Sequence, residues 1–186
     1  MELRFLTKNP HKFGEFKKLI EPAGHFVVEA AYSIDEIQTE DMEALVTDKC
    51  VKAFARFKRP IFVDHTGLQF EFLDGFPGGL TEIFWNKLKN KRLCEIIGRS
   101  SNPRAIATTL LGYCDGRKIH IFKGTIEGVV PTEPRGPEEF QWDAIFIPDG
   151  HSQTFAEMGE GKNEISMRKL AVDQFLTHLR DSHGRN

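Results

Sequence analysis

Thr7-Lys8-Asn9-Pro10-His11-Lys12, with Glu15 one turn later, joins a short apolar run to an amphipathic one. Asn9 can cap a helix and Pro10 is tolerated at its first position. A strand that passes through a polar loop into a helix aims backbone N–H groups and the positive helix end at one place. That is a natural phosphate site, to which Lys8 or Lys12 adds charge. An ordinary capped helix with solvated lysines fits the same residues and, on this segment alone, fits better. A second group, Asp64-His65-Thr66-Gly67-Leu68, follows the apolar run Ile61-Phe62-Val63 and reads as the far end of a buried strand. A carboxylate and an imidazole there can bind a metal or activate water. A plain strand end with a turn is the alternative.

Glu40, Asp41 and Glu43 open the next long helix. Carboxylates in a first turn complement the helix dipole, whereas one turned inward would hold a hard cation such as magnesium, which takes oxygen ligands and bridges phosphates. Spacing leaves both open. Gly75-Phe76-Pro77-Gly78-Gly79 is a turn that either covers a nucleotide or only connects. Between Pro134-Arg135-Gly136 and Phe140-Gln141-Trp142-Asp143 an aromatic pair stands close to an acid, suited to stacking on a base and bonding its edge. Core packing is the commoner fate of such aromatics. Gly159-Glu160-Gly161-Lys162 is not a P-loop, since that motif needs Gly at Ala156 and Ser or Thr at Asn163, after a strand.

The elements that must hold these residues follow from periodicity. Leu3–Thr7 reads as a strand. A helix with Phe13, Phe16, Leu19 and Ile20 on one face ends at Pro22 and Gly24, and Phe26–Ala31 is a second strand. A long helix starts near Thr39, with Met42, Leu45, Val46, Cys50, Ala53, Phe54 and Phe57 at helical spacing, and Pro60 stops it. Residues 80–97 read as helical. Two strands near 104–114 and 117–130 meet at Asp115-Gly116, a hairpin signal. Ala144–Ile147 is a further strand, and Leu170, Ala171, Phe175, Leu176 and Leu179 mark a closing helix. The mixture predicts an α/β or α+β sheet with parallel and antiparallel pairs. No repeat or linker divides the chain, so one continuous domain over residues 1–186 is expected.

Composition narrows the function. With 25 Lys+Arg against 27 Asp+Glu the net charge is -2, which argues against a general nucleic-acid binder but not against a small anion held by a few local cations. No apolar run approaches the roughly 20 residues that span a bilayer, and Met1–Phe5 lacks signal-peptide shape. Cys50, Cys94 and Cys114 are three, far apart and without C-x-x-C spacing. They read as buried free thiols of a cytoplasmic protein rather than as a disulfide framework or zinc site.

In their order along nearly the whole chain, these motifs resemble the inosine triphosphate pyrophosphatase family. Thr7, Asn9, Lys12 and Glu15 match its opening Thr-x-Asn-x-x-Lys-x-x-Glu, and Glu40 matches the Glu that opens its long helix. Asp64-His65 stands at its acidic pair before Thr-Gly-Leu, and Leu73, Gly75, Pro77 and Gly78 match its Leu-x-Gly-x-Pro-Gly turn. Pro134-Arg135-Gly136, Phe140 to Asp143, the run ending at Gly150, Thr154 to Met158, Lys162-Asn163 and Ser166-Met167-Arg168 follow in register. The resemblance implies an elongated α/β fold, with a long central mixed β-sheet and two lobes flanking a nucleotide cleft, and a homodimer. It also implies Mg²⁺-assisted (or Mn²⁺-assisted) attack of water on a nucleoside triphosphate, releasing pyrophosphate. Carried over, Asn9, Lys12 and Lys162 hold phosphates, with Thr7 and Thr66 beside them. Glu40 and Asp64 lie at the metal. Asp64, His65 and Lys12 form the catalytic group. Phe140, Gln141, Trp142, Asp143, Met167 and Arg168 shape the base pocket.

Three positions depart from the family's pattern: His65 for the second carboxylate, Gln141 for Gly and Met167 for His. The last two imply a base selectivity altered from the inosine/xanthine type. The first implies a histidine base titrating near its ordinary 6.5, or else a degenerate paralogue that binds nucleotides without turnover.

Overall fold

A computed structural model describes residues 1–138 and 141–183. Six strands form one sheet in the order β2-β1-β3-β4-β5-β6: β1 (Glu2–Leu6), β2 (Phe26–Ala30), β3 (Ile61–Phe70), β4 (Arg104–Cys114), β5 (Ile119–Val129) and the two-residue β6 (Ile147–Pro148). β1 runs parallel to β2 and β3, and β3 to β6 are antiparallel in turn. Six α-helices accompany them: α1 (Pro10–Ile20), α2 (Met42–Phe57), α3 (Thr81–Leu93), the single turns α4 (Phe155–Met158) and α5 (Lys162–Ile165), and α6 (Met167–His183). This is the mixed α/β sheet that the sequence predicts. No helix among the described residues is long and apolar enough to cross a membrane.

Alternation along the long strands builds cores on both faces. Phe62 joins Leu3, Phe5, Phe16, Leu111 and Phe175 under α1 and α6. Its neighbours Ile61 and Val63 turn the other way, to Val46, Cys50, Ala53 and Leu110 under α2. Further along, Leu68 and Phe70 enter a third cluster with Ala105, Ala107, Trp142, Phe146 and Met167. Asp64, His65 and Thr66 therefore lie at the seam between cores, in mid-strand. They do not form a strand end: β3 continues for ten residues, because each polar side chain finds a neighbour or a chamber rather than solvent.

Other boundaries also differ from expectation. The long helix begins at Met42 rather than near Thr39, because the Asp41 side chain accepts from the amides of Glu43 and Ala44, and it ends on a left-handed Lys58. Helix α3 gives way to a π-helical turn at Cys94–Gly98. In place of a strand over Ala144–Ile147 there is a short 3-10 turn, Asp143–Ile145, followed by β6. The start of α6 lies directly on β5 at Gly124, where a Cβ would come within 1.9 Å of the Met167 carbonyl oxygen. That contact fixes where Arg168 enters the molecule. All three cysteines are free and buried, as expected, with burial pushing the thiols of Cys50 and Cys94 up to about 12.

Candidate functional site

The loop after β1 is self-capped. Thr7 Oγ1 accepts from the Asn9 amide at 3.0 Å, and Asn9 Oδ1 accepts from the amides of His11 and Lys12 at 2.9 and 3.2 Å. The helix start thus uses amides that the sequence offered to a phosphate, and the charge for an anion falls to side chains. Lys12 reaches across to β3, where its Nζ lies 2.9 Å from Asp64 Oδ2. Burial pulls the Lys12 ammonium down, partly offset by Asp64. Lys49, on the buried stripe of α2, donates to the Asp64 backbone oxygen at 2.9 Å and pairs with Glu36 at 2.7 Å. Thr7, Asn9, Lys12, Glu36, Lys49, Asp64 and Gln141 all line one cleft of about 620 Å³.

A second pocket, of about 420 Å³, lies beyond α1 between Glu15, Asp143, Phe155 and Lys162. Lys162 Nζ lies 2.6 Å from Asp143 Oδ2 and 3.0 Å from Glu15 Oε1. Asp143 is buried, which raises its pKa against the pull of Lys162, and its Oδ1 has no partner among the described residues. Arg168, 1 % exposed, joins the two pockets. It bonds Glu15 on one side, approaches Asp64 to 3.8 Å on the other, and lies 5.4 Å over the Phe16 ring. Burial pulls its pKa down to about 10, still charged at neutral pH. The result is an unbroken row of alternating charge: Lys12, Asp64, Arg168, Glu15, Lys162, Asp143.

His65 lies on the opposite face of β3 from Asp64. It is buried and its Nε2 lacks a partner among the described residues. Burial first, then Lys12 and Lys49, pull it down to about 4. The expected titration near 6.5 is therefore displaced, and the ring is neutral at physiological pH. Thr66 shares a 2.8 Å hydrogen bond with Thr109 and lies 3.4 Å from Arg168 Nη2.

The structure separates several residues that the sequence grouped. Glu40 does not join Asp64. Its carbonyl accepts from Gly79 at 2.9 Å, and its exposed side chain borders a different depression with Asp41, Gln69 and Lys123. A Cβ on Gly79 would come within 2.3 Å of the Thr39 carbonyl oxygen, so the Gly78-Gly79 turn packs tightly on that segment. Lys162 lies with Asp143, in a different pocket from Lys12. Met167 is 1 % exposed inside the third core cluster, and Trp142, 2 % exposed, packs edge-on against Phe146. Gln141 faces the Lys12 end rather than the Asp143 pocket. Phe140 lies outside the described residues. Conversely, Glu36 and Lys49 went unnoticed in the sequence. Lys49 had a signal: it occupies a core position four residues after Leu45, where an apolar residue is due.

Residues 3–178 match the family model described as the Ham1 family. The chain belongs to the Ham1 family. Among Ham1-like relatives, a dITP/XTP pyrophosphatase of Thermococcus kodakarensis is 36% identical over 183 residues, spanning 98% of this chain and 99% of its own. One of Porphyromonas gingivalis, with the same name, is 36% identical over 188 residues, spanning 96% and 97%. A solved HAM1 protein from Coxiella burnetii superposes with a TM-score of 0.83 at 23% identity over 97% of this chain and 99% of that one. That last likeness speaks for the fold.

Proposed function

We propose that this protein hydrolyses a purine (deoxy)nucleoside triphosphate to the monophosphate and pyrophosphate. It is an enzyme, a nucleoside triphosphate pyrophosphohydrolase, as the relatives' names indicate. The observation that carries the finer reading is a pair of pockets that adjoin at Pro10 and His11 and so make one two-ended site. One end offers the lysines Lys12 and Lys49 to phosphates. The other offers a donor, Lys162, beside an unpartnered acceptor, Asp143 Oδ1. That pair complements the carbonyl oxygen and ring N–H of a 6-oxopurine, whereas adenine presents a ring acceptor and an amino donor instead. Rejecting the wrong pattern leaves buried polar groups unpaired, which is how sites of this kind discriminate. The base pair of donors and acceptors is intact, and neither Gln141 nor Met167 lines it, so the geometry favours the inosine/xanthine class over an altered selectivity.

A divalent cation fits. Among the described residues no three His, Cys, Asp or Glu converge, but Mg²⁺ needs only one or two carboxylates and takes its remaining ligands from phosphates and water. Asp64 and Glu36 face the same cleft and would hold it. The buried cations are already matched by Asp64, Glu36, Glu15 and Asp143, so a triphosphate must bring neutralising charge with it. When bound, the metal would supply that charge. Lys12 and Lys49 would turn from their carboxylates to the phosphates. Water oxygen bonds to the α-phosphorus, the bond from that phosphorus to the bridging oxygen breaks, and pyrophosphate leaves with the electron pair. Neutral His65, in the chamber that adjoins the cleft, accepts a hydrogen bond from the attacking water, whose proton passes to solvent.

The test is a pyrophosphate-release screen over purine and pyrimidine triphosphates with Mg²⁺ or Mn²⁺. Inosine, deoxyinosine or xanthosine triphosphate should lead, and Asp143→Asn should narrow the margin over adenosine triphosphate. Tight nucleotide binding with no release from any triphosphate would replace the enzyme by a binding paralogue. The homodimer implied by the resemblance is carried as part of the proposal and is checked by light scattering.

A further inference from the structure

Behind the cleft lies a chamber of about 50 Å³ bordered by Lys12, Lys49, His65, Thr66, Trp85 and Gln141. Two of its polar groups are not used by the fold. His65 Nε2 is buried without a partner, and the Gln141 amide makes no hydrogen bond among the described residues. Buried or half-buried polar groups are normally satisfied, so an orphan of this kind calls for a reason.

Gln141 supplies a second, independent sign. Its φ is +40°, a backbone conformation that Gly adopts freely and a residue with a side chain adopts only under constraint. The constraint is local: Trp142 is locked in the core and Asp143–Ile145 forms a tight turn immediately after. Among the described residues the amide meets no hydrogen-bond partner. The chain thus holds a long polar side chain at a position where none is needed structurally, and points it into both the chamber and the cleft.

The chamber has room for solvent: a buried water needs at least about 10–15 Å³ of such space and two to four polar partners. Gln141 offers both a donor and an acceptor, and the unpartnered His65 Nε2 faces the same chamber. Lys12, Lys49 and Gln141 border the phosphate end of the cleft as well, so a water held here lies beside the triphosphate.

We propose that Gln141 is a positioning residue for the hydrolytic water, its amide and the His65 imidazole gripping that water so that a lone pair faces the α-phosphate. This rests on the hydrolytic reading above. Gln141 neither forms nor breaks a covalent bond, and its contribution is orientation.

The experiment compares wild type with Gln141→Gly, Gln141→Ala and Gln141→Asn, measuring kcat, KM and Tm with the best triphosphate of the screen. Gln141→Gly relieves the backbone and removes the amide, so Tm should hold or rise while kcat falls at least tenfold and KM changes less than twofold. Gln141→Ala should lose a similar factor in kcat. Gln141→Asn tolerates the same φ and keeps a shorter amide, so part of the lost kcat should return. Wild-type kcat in Gln141→Gly overturns the proposal, as does a loss confined to KM, which would mark a substrate contact. A kcat loss that tracks a fall in Tm and is not eased in Gln141→Asn overturns it too, in favour of a structural role. If wild type itself releases no pyrophosphate, the hydrolytic reading fails first and the proposal with it.

Discussion

Replacing Arg168 by Met tests whether the alternating row of charge is one unit. Arg168 is 1 % exposed and serves two carboxylates, Glu15 and Asp64. Removing one partner from a buried ion pair costs about 3–5 kcal/mol, because the remaining charge is stranded away from water. Here each carboxylate keeps a lysine, Lys162 at 3.0 Å for Glu15 and Lys12 at 2.9 Å for Asp64. The loss should therefore sit near the lower end, about 3 kcal/mol. For a chain of this size that lowers Tm by about 6–12 °C. Urea denaturation followed by circular dichroism at pH 7 measures it without any appeal to activity. The partner variant Glu15→Gln removes the charge that Arg168 answers, so the double variant should be more stable than the sum of the singles by at least about 1 kcal/mol. A single-variant loss below about 1 kcal/mol, or strict additivity, would refute the coupled row.

Lys12→Ala should weaken triphosphate binding roughly ten- to a hundredfold, the scale of one charge-assisted contact of about 1.5–3 kcal/mol, and unchanged affinity in a calorimetric titration would remove Lys12 from the phosphate end. Lys89, inside α3 at φ 57° and ψ 172°, occupies backbone space that suits Gly and costs about 1–3 kcal/mol otherwise. Its ammonium lies 4.1 Å over the Trp85 ring, a contact worth about 0.5–1 kcal/mol at an exposed site, so strain wins and Lys89→Gly should raise the urea midpoint. For His65 the folded pKa, about 4, lies below the unfolded value near 6.5. Between those limits the unfolded chain binds a proton that the native one refuses, so stability falls with falling pH by up to about 1.4 kcal/mol per unit. The same slope measured in His65→Leu should be shallower, and an identical slope would show that His65 is not held neutral.

Motif order and strand–helix alternation made the fold legible, since apolar spacing registers faithfully which face of each element is buried. The site was legible only in part. Asp64 and Lys12, distant in sequence, do meet across one cleft, because their neighbours in sequence also frame it. Glu36 was missed because it lies in an irregular segment with no periodicity to read, and Glu40, four residues on, drew the metal assignment instead. Gln141 and Met167 were grouped as base-pocket residues by motif proximity, yet φ at Gln141 turns it toward Lys12, and the contact of α6 with Gly124 sends Met167 inward. Side-chain direction after an irregular turn depends on tertiary packing, which no local pattern carries.

Strands β3, β4 and β5 run through ten, eleven and eleven residues without a break, and their ladder passes continuously under both ends of the cleft. A hinge across the site would have to bend that ladder at the very residues Asp64 and Thr66. The continuous ladder therefore opposes any swing of one end of the site against the other. Amide exchange should accordingly find the floor of the cleft among the slowest parts of the molecule and its rim among the fastest.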